Sequence, residues 1–258
     1  MHAGSGWIKA GIEILEKIER TQSDAIERAS QVCAEAISAE GLVHLFGTGH
    51  SRIPVEEMFP RYGSYPGFHP IVELSMTFHT QVVGANGQRQ AMFIERTSGL
   101  AEVILANFQF APKDALIVFS ASGLGAVVVE MARGARRRGL PVIAVTSVAQ
   151  SQAGDVEPEV GSRLLDEADI VIDLCTPAGD ALMRLEGLAE TPVGPGSTLA
   201  AIAVADAIKV RTAELLVAAG KMPPVITSAA EVGRRRSEEL FEAAYREHAR
   251  RAARTLAT

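Results

Sequence analysis

Ser120 and Ser122 stand two residues apart and are followed by Gly123; an apolar run at 115–119 precedes them and a helical pattern from Leu124 to Arg138 follows. Those types in that order suit an oxyanion. The two hydroxyls are donors, and a residue without Cβ lets backbone amides come close. A helix start adds unpaired N–H groups and the positive end of its dipole. Such a loop is suited to hold a phosphate. A second glycine-hydroxyl loop, Gly47-Thr48-Gly49-His50-Ser51, ends the apolar run 42–46, and two adjacent carboxylates, Glu56 and Glu57, follow it. His50 lies inside that loop, and His79 lies beyond the second apolar run; an imidazole at either position could assist proton transfer.

These loops need elements to place them. Short apolar runs at 42–46, 70–74, 115–119, 141–146 and 169–174 alternate with helical stretches, a pattern that predicts a parallel sheet covered on both faces. In a flavodoxin-like strand order of 2-1-3-4-5, the two loops follow the first and third strands. They then flank the crevice where strand order reverses, which is where such sheets bind ligands. Arg136, Arg137 and Arg138 with Gly139 close the helix before the fourth strand, cations at the negative end and glycine at the stop. Apolar spacings of three and four between Trp7 and Ala39 predict two N-terminal helices, parted near Thr21-Gln22-Ser23-Asp24, which offers N-cap residues. Leu240, Phe241, Ala244, Tyr245 and Ala249 predict an amphipathic C-terminal helix, packed on the domain or on a second subunit. The expected organisation is N-terminal helices over residues 1–40, a single α/β domain over 41–222 and a helical extension over 223–258.

Gly47-Thr48-Gly49-His50-Ser51 together with Ser120-Ala121-Ser122-Gly123 resembles the sugar isomerase (SIS) domain family, whose members bind phosphosugars. Glu56-Glu57-Met58-Phe59-Pro60-Arg61-Tyr62 resembles the stretch after the first loop of phosphoheptose isomerases. Phe93-Ile94-Glu95-Arg96, Gly194-Pro195-Gly196-Ser197-Thr198 and Pro223-Pro224-Val225 resemble a phosphoheptose-isomerase-like subgroup, and the similarity runs from about Ile8 to Val225. The resemblance implies a flavodoxin-like SIS domain with a five-stranded parallel sheet. It implies a phosphate held by Ser51, Ser120, Ser122 and Gly123, a sugar lying on Gly47, Thr48, Gly49 and Ser197, and Glu57 as the catalytic glutamate. Isomerising a sugar phosphate, or eliminating a group β to its carbonyl, starts with removal of a proton next to the carbonyl. A partly desolvated carboxylate suits that step. Two departures stand out. The late helix, about residues 196–219, carries no histidine, whereas phosphoheptose isomerases have a catalytic one there. Gly125 replaces the hydroxyl residue commonly found three positions beyond the second loop serine.

The expected substrate class is a hexose or amino-sugar 6-phosphate, turned over by a lyase or dehydratase or by an aldose–ketose isomerase. The alternative is a non-catalytic sugar-phosphate sensor acting on a partner protein. A net charge of −6 argues against a nucleic-acid surface. Arg52 occupies the position where a dinucleotide fingerprint needs its third glycine, and no Gly-Lys-Ser/Thr triphosphate loop is present. Cys33 and Cys175 have no metal-ligand spacing. No basic-then-apolar leader or membrane-length run is seen. The expectation is therefore a cytoplasmic protein without cofactor or metal, assembled as a homodimer or larger even-numbered oligomer, with His79 within reach of a neighbouring subunit's site.

Overall fold

The central apolar runs become strands that are buried from end to end. The computed structural model describes residues 3–77, 87–188 and 190–256. Its main sheet contains β1 (Val43–Gly47), β2 (Phe68–Ile71), β3 (Ala115–Phe119), β4 (Val142–Thr146) and β5 (Ile170–Asp173), ordered β2-β1-β3-β4-β5 with every pairing parallel. All residues of β1, β3 and β4 are buried, as central strands covered on both faces require. The helices among the described residues are α1 (Ala3–Ser38), α2 (Ile53–Met58), α3 (Gly87–Ile94), α4 (Leu100–Leu105), α5 (Ala126–Arg137), α6 (Val148–Ala153), α7 (Ser197–Ala218), α8 (Ala229–Val232) and α9 (Arg234–Ala252).

Alternation along the strands divides the core in two. Val43 and Leu45 of β1, with Ile117 and Phe119 of β3, face Ile14, Ile18, Ala29 and Cys33 of α1 and Val204, Ala205 and Ile208 of α7. Phe46, Leu116 and Val118 point the other way, onto Val127, Val128 and Met131 of α5 and Ile104 and Leu105 of α4. A strand period of two sends neighbouring residues to opposite faces, so β1, β3 and β4 each feed both cores.

Three features differ from expectation. First, α1 is one helix of 36 residues rather than two. Thr21 Oγ1 donates to Lys17 O at 2.8 Å, and Ser23 Oγ donates to Glu19 O. The hydroxyls that look like caps bond back one turn and let the helix continue, a competing use of the same side chains. Second, the edge strand β2 begins two residues earlier than the run 70–74 and ends at Ile71, and Leu74–Met76 coils into a 3-10 turn. Pro70 is tolerated there because β2 is an edge strand. Third, an antiparallel hairpin, β6 (Ala181–Met183) and β7 (Val193–Pro195), precedes α7. Trp7 Nε1 of α1 donates to Gly194 O at 3.1 Å, which ties the hairpin to the N-terminal helix.

The C-terminal helix docks on its own domain. Arg251, 5 % exposed, donates from Nη1 to Ile37 O at 2.9 Å and Gly41 O at 3.0 Å, joining the end of α1 to the approach to β1. Arg254 Nη2 meets Asp114 Oδ1 at 2.5 Å, and Arg250 Nη1 meets Glu40 Oε2 at 3.0 Å. These arginines serve as internal clasps for carbonyl and carboxylate groups, the use to which a forked guanidinium is suited.

Candidate functional site

Register brings the two loops together. Gly47 at the end of β1 pairs with Phe119 at the end of β3, so the chain leaves both strands side by side where strand order reverses. After β1 it turns at once into a 3-10 turn at Gly49–Arg52 and then into α2. Only glycine allows that reversal, because a Cβ on Gly47 would overlap the backbone oxygen and carbonyl carbon of Ser51. After β3, Gly123 adopts φ of 62°, in the left-handed region, and an added Cβ would press on Thr146 Oγ1 at 3.0 Å.

The second loop is held from within. Ser120 is buried, and its Oγ accepts the Gly123 N–H at 3.1 Å. Gly123 O accepts the Leu164 N–H at 2.9 Å, and Ala121 O accepts the Ser147 N–H at 3.0 Å. The loop is therefore fixed from β4 and from the segment preceding β5. Ser122 is half-buried, and Gly125 forms the N-cap of the 12-residue α5.

His50, Ser51 and Ser197 line one cleft of about 180 Å3, with Ala121, Leu174, Asp180, Thr198 and Ala201 completing its walls. Three of the expected residues thus meet beside the second loop. Asp180 was not foreseen. It has φ of 66°, and its Oδ1 accepts the N–H groups of Gly196 at 3.1 Å and Ser197 at 2.7 Å, while Ser197 Oγ donates to Oδ2 at 2.6 Å. A carboxylate here satisfies orphan amides of the 22-residue α7 and suits its dipole. Because the hairpin brings Asp180 to Ser197 from 17 residues away, no local pattern announces it.

Thr48 points elsewhere. It is buried, and its Oγ1 donates to Glu95 Oε2 at 2.8 Å. Burial pushes the Glu95 carboxyl up, outweighing the opposing effects of the Thr48 hydroxyl and the Arg96 charge. Phe93-Ile94-Glu95-Arg96 was noticed only as a pattern; the contact that places its carboxylate beside the first loop spans 47 residues.

Glu57 does not line the cleft of the serine loops. Its carboxylate is bound by Arg61 Nη1 and lies 4.0 Å from Lys209 Nζ of α7. Lys209 Nζ also donates to Glu57 O at 3.2 Å and pairs with Asp206 Oδ1 at 2.6 Å. Glu57 borders a wider cavity of about 570 Å3 with Ile53, Glu56, Pro60, Arg61, Tyr62, Ile226, Phe241 and Tyr245. Glu56 pairs with Arg52 at 3.1 Å and is exposed. His79 lies outside the described residues. Among the described residues no group of three or more His, Cys, Asp or Glu could hold a metal ion. Both thiols are buried and unbridged, with Cys33 pushed up to about 12 by burial, so it resists ionisation.

The fold and the position of its loops define a class, the doubly wound α/β proteins that take ligands outside the carboxyl ends of their strands where the order reverses. Within that class the sequence pattern of the SIS domain matches residues 6–147. A UPF0309 protein of Listeria monocytogenes serotype 4b (strain CLIP80459) is 32 % identical over 224 residues, covering 87 % of this chain and 88 % of the relative. A UPF0309 protein of Halalkalibacterium halodurans is 33 % identical over 217 residues, covering 83 % and 86 %. The chain belongs to the SIS domain family. Among solved structures it is similar to a phosphoheptose isomerase from Francisella tularensis, with a TM-score of 0.49 and 16 % identity, covering 81 % of this chain and 100 % of that one.

Proposed function

We propose that this SIS-domain protein is an enzyme that binds a hexose or amino-sugar 6-phosphate and removes the proton next to its carbonyl. One observation carries the reading. Two glycine-hydroxyl loops leave paired strands at the reversal of the sheet, and a cleft walled by His50, Ser51, Asp180 and Ser197 opens beside them. In this reading the phosphate lies on the Ser122 hydroxyl and the N-terminus of α5, beside Gly123, whose missing side chain leaves the anion room. Ser120 contributes by holding the Gly123 amide, and Ser51 closes the phosphate from the first loop. The sugar runs over Gly47, Thr48 and Gly49 toward Ser197, and His50 stands at the rim for ring opening. Glu57, bound by Arg61 and near Lys209 at the wider cavity, is assigned as the base from the family resemblance rather than from a place in this cleft. The enediolate left by proton removal leads either to an isomerised sugar or, by loss of a β substituent, to a lyase or dehydratase product.

Titration calorimetry with a panel of sugar 6-phosphates and the matching free sugars tests the reading. Binding that requires the phosphate supports it. Equal affinity for free sugars, or no binding by any member, contradicts it.

A further inference from the structure

The chemistry above needs a second acid–base group, and α7 brings no histidine to supply it. Glu95 lies between the first ligand loop and the start of α5. From the first loop, Thr48 Oγ1 donates to Glu95 Oε2 at 2.8 Å. At the start of α5, the N-cap Gly125 comes so close that a Cβ there would stand 3.9 Å from Glu95 Cγ. Val127, in the first turn of α5, donates its N–H to the Glu95 backbone carbonyl at 3.0 Å. That backbone bond anchors the residue, so its side chain is presented to Thr48 from a fixed point. Burial pushes the carboxyl up, which favours the protonated form that a general acid requires.

We propose that Glu95 is the second acid–base residue of this site, the group that trades a proton with the sugar oxygens while the base moves the carbon-bound proton. The proposal rests on the phosphosugar reading given above. In the isomerising direction, the base takes the proton from the carbon next to the carbonyl, and the C–H electron pair becomes the new C=C bond. The carbonyl π pair takes the proton of the Glu95 carboxyl, leaving an enediol and a Glu95 carboxylate. That carboxylate then removes the proton of the other enediol hydroxyl as the base returns its proton to the neighbouring carbon. Glu95 ends protonated, and no external oxidant or reductant is used.

The test is the pH dependence of solvent-deuterium incorporation into a panel of aldose and ketose 6-phosphates, amino sugars included, using the full chain. The native rate should fall on the alkaline side as Glu95 loses its proton. Glu95→Gln keeps the shape but has no proton to give. Its kcat should drop by roughly two to four orders of magnitude with KM nearly unmoved, its alkaline limb should vanish, and Glu95→Asp should recover part of the rate. Thr48→Val removes a hydroxyl that pulls Glu95 down, so its alkaline limb should move to higher pH; this variant decides the matter if Glu95→Gln does not fold. A Glu95→Gln protein with native kcat and an unchanged limb, or a Thr48→Val protein whose limb stays put, overturns the role. Phosphosugar binding by the native protein without exchange at any pH also overturns it, while leaving the binding site intact. Absence of all phosphosugar binding removes the underlying reading, and Glu95's role with it.

Discussion

Gly47 shows how much one missing side chain can decide. The chain doubles back on the backbone of Ser51 there, and a methyl group would have to displace main-chain atoms rather than a flexible side chain. Gly47→Ala should therefore cost about 1–3 kcal/mol, the scale of overpacking, and should weaken ligand binding by shifting the first loop; thermal unfolding and calorimetry together check this. Ser122 makes the opposite prediction. It is half-buried on a loop fixed by other residues, so Ser122→Ala should leave the melting temperature nearly unchanged. Phosphosugar affinity should fall by roughly 1.5–3 kcal/mol, the scale of a hydrogen bond to a charged group. Unaltered affinity for every phosphosugar the native protein binds would show that the phosphate lies elsewhere. The loop residues were legible because their chemistry is local, with small and hydroxyl residues following apolar runs. Glu95 and Asp180 were not, because each is placed by a contact far away in sequence, with Thr48 and with Ser197 respectively.

Among the elements, α9 is tied to the domain by groups whose loss can be measured. Arg251→Ala removes the buried donor to Gly41 O and one of the two donors to Ile37 O, which still accepts the Glu40 N–H, and should cost roughly 1.5–3 kcal/mol in denaturant unfolding. Beneath α9, the ring of His248 lies 4.6 Å from Phe59 and stacks at 5.5 Å on His69 of β2, which meets His44 of β1 edge-on at 5.4 Å. Burial, with His44 and His248 nearby, lowers His69 to about 4 despite the opposing Asp114 charge. Burial and the Arg251 charge lower His248 as well. An unfolded histidine titrates near ~6.5, so between there and about 4 the unfolded chain binds more protons than the native one. Stability should be full above that upper value and fall as pH drops toward the lower one, by about 3 kcal/mol for His69 alone. Urea midpoints across that range check the slope, and His69→Phe should flatten it. Sequence located β3 to the residue because 115–119 is a continuous apolar run bounded by polar groups. It divided α1 in two because Thr21 and Ser23 carry capping chemistry, and only tertiary contact reveals its other use. Gln22 Oε1, in the same turn, accepts the Asp173 N–H at 3.0 Å and holds that turn of helix on β5. The β6–β7 hairpin escaped notice because strands of three residues are too short to show a period.

For the molecule as a whole, apolar surface remains after the domain has closed. Ile8 and Ile12 of α1 are 60 % and 50 % exposed, and Val210 and Val217 of the adjoining α7 are 66 % and 64 % exposed. We expect a second copy to cover such residues in a dimer or larger even-numbered assembly. Sedimentation equilibrium at micromolar concentration should show it, and a monomer throughout would remove the basis for any site shared between subunits. No helix among the described residues is long and apolar enough to cross a membrane. The central claim is that the two loops hold a phosphosugar for removal of a carbon-bound proton, and proton NMR in heavy water with a panel of sugar phosphates tests it most directly. The native protein should exchange deuterium into the position next to the carbonyl of at least one hexose or amino-sugar 6-phosphate, whatever product follows, and Glu57→Gln should lose that exchange while still binding. Tight phosphosugar binding with no exchange in any member of the panel would contradict the enzymatic reading and make the protein a sensor.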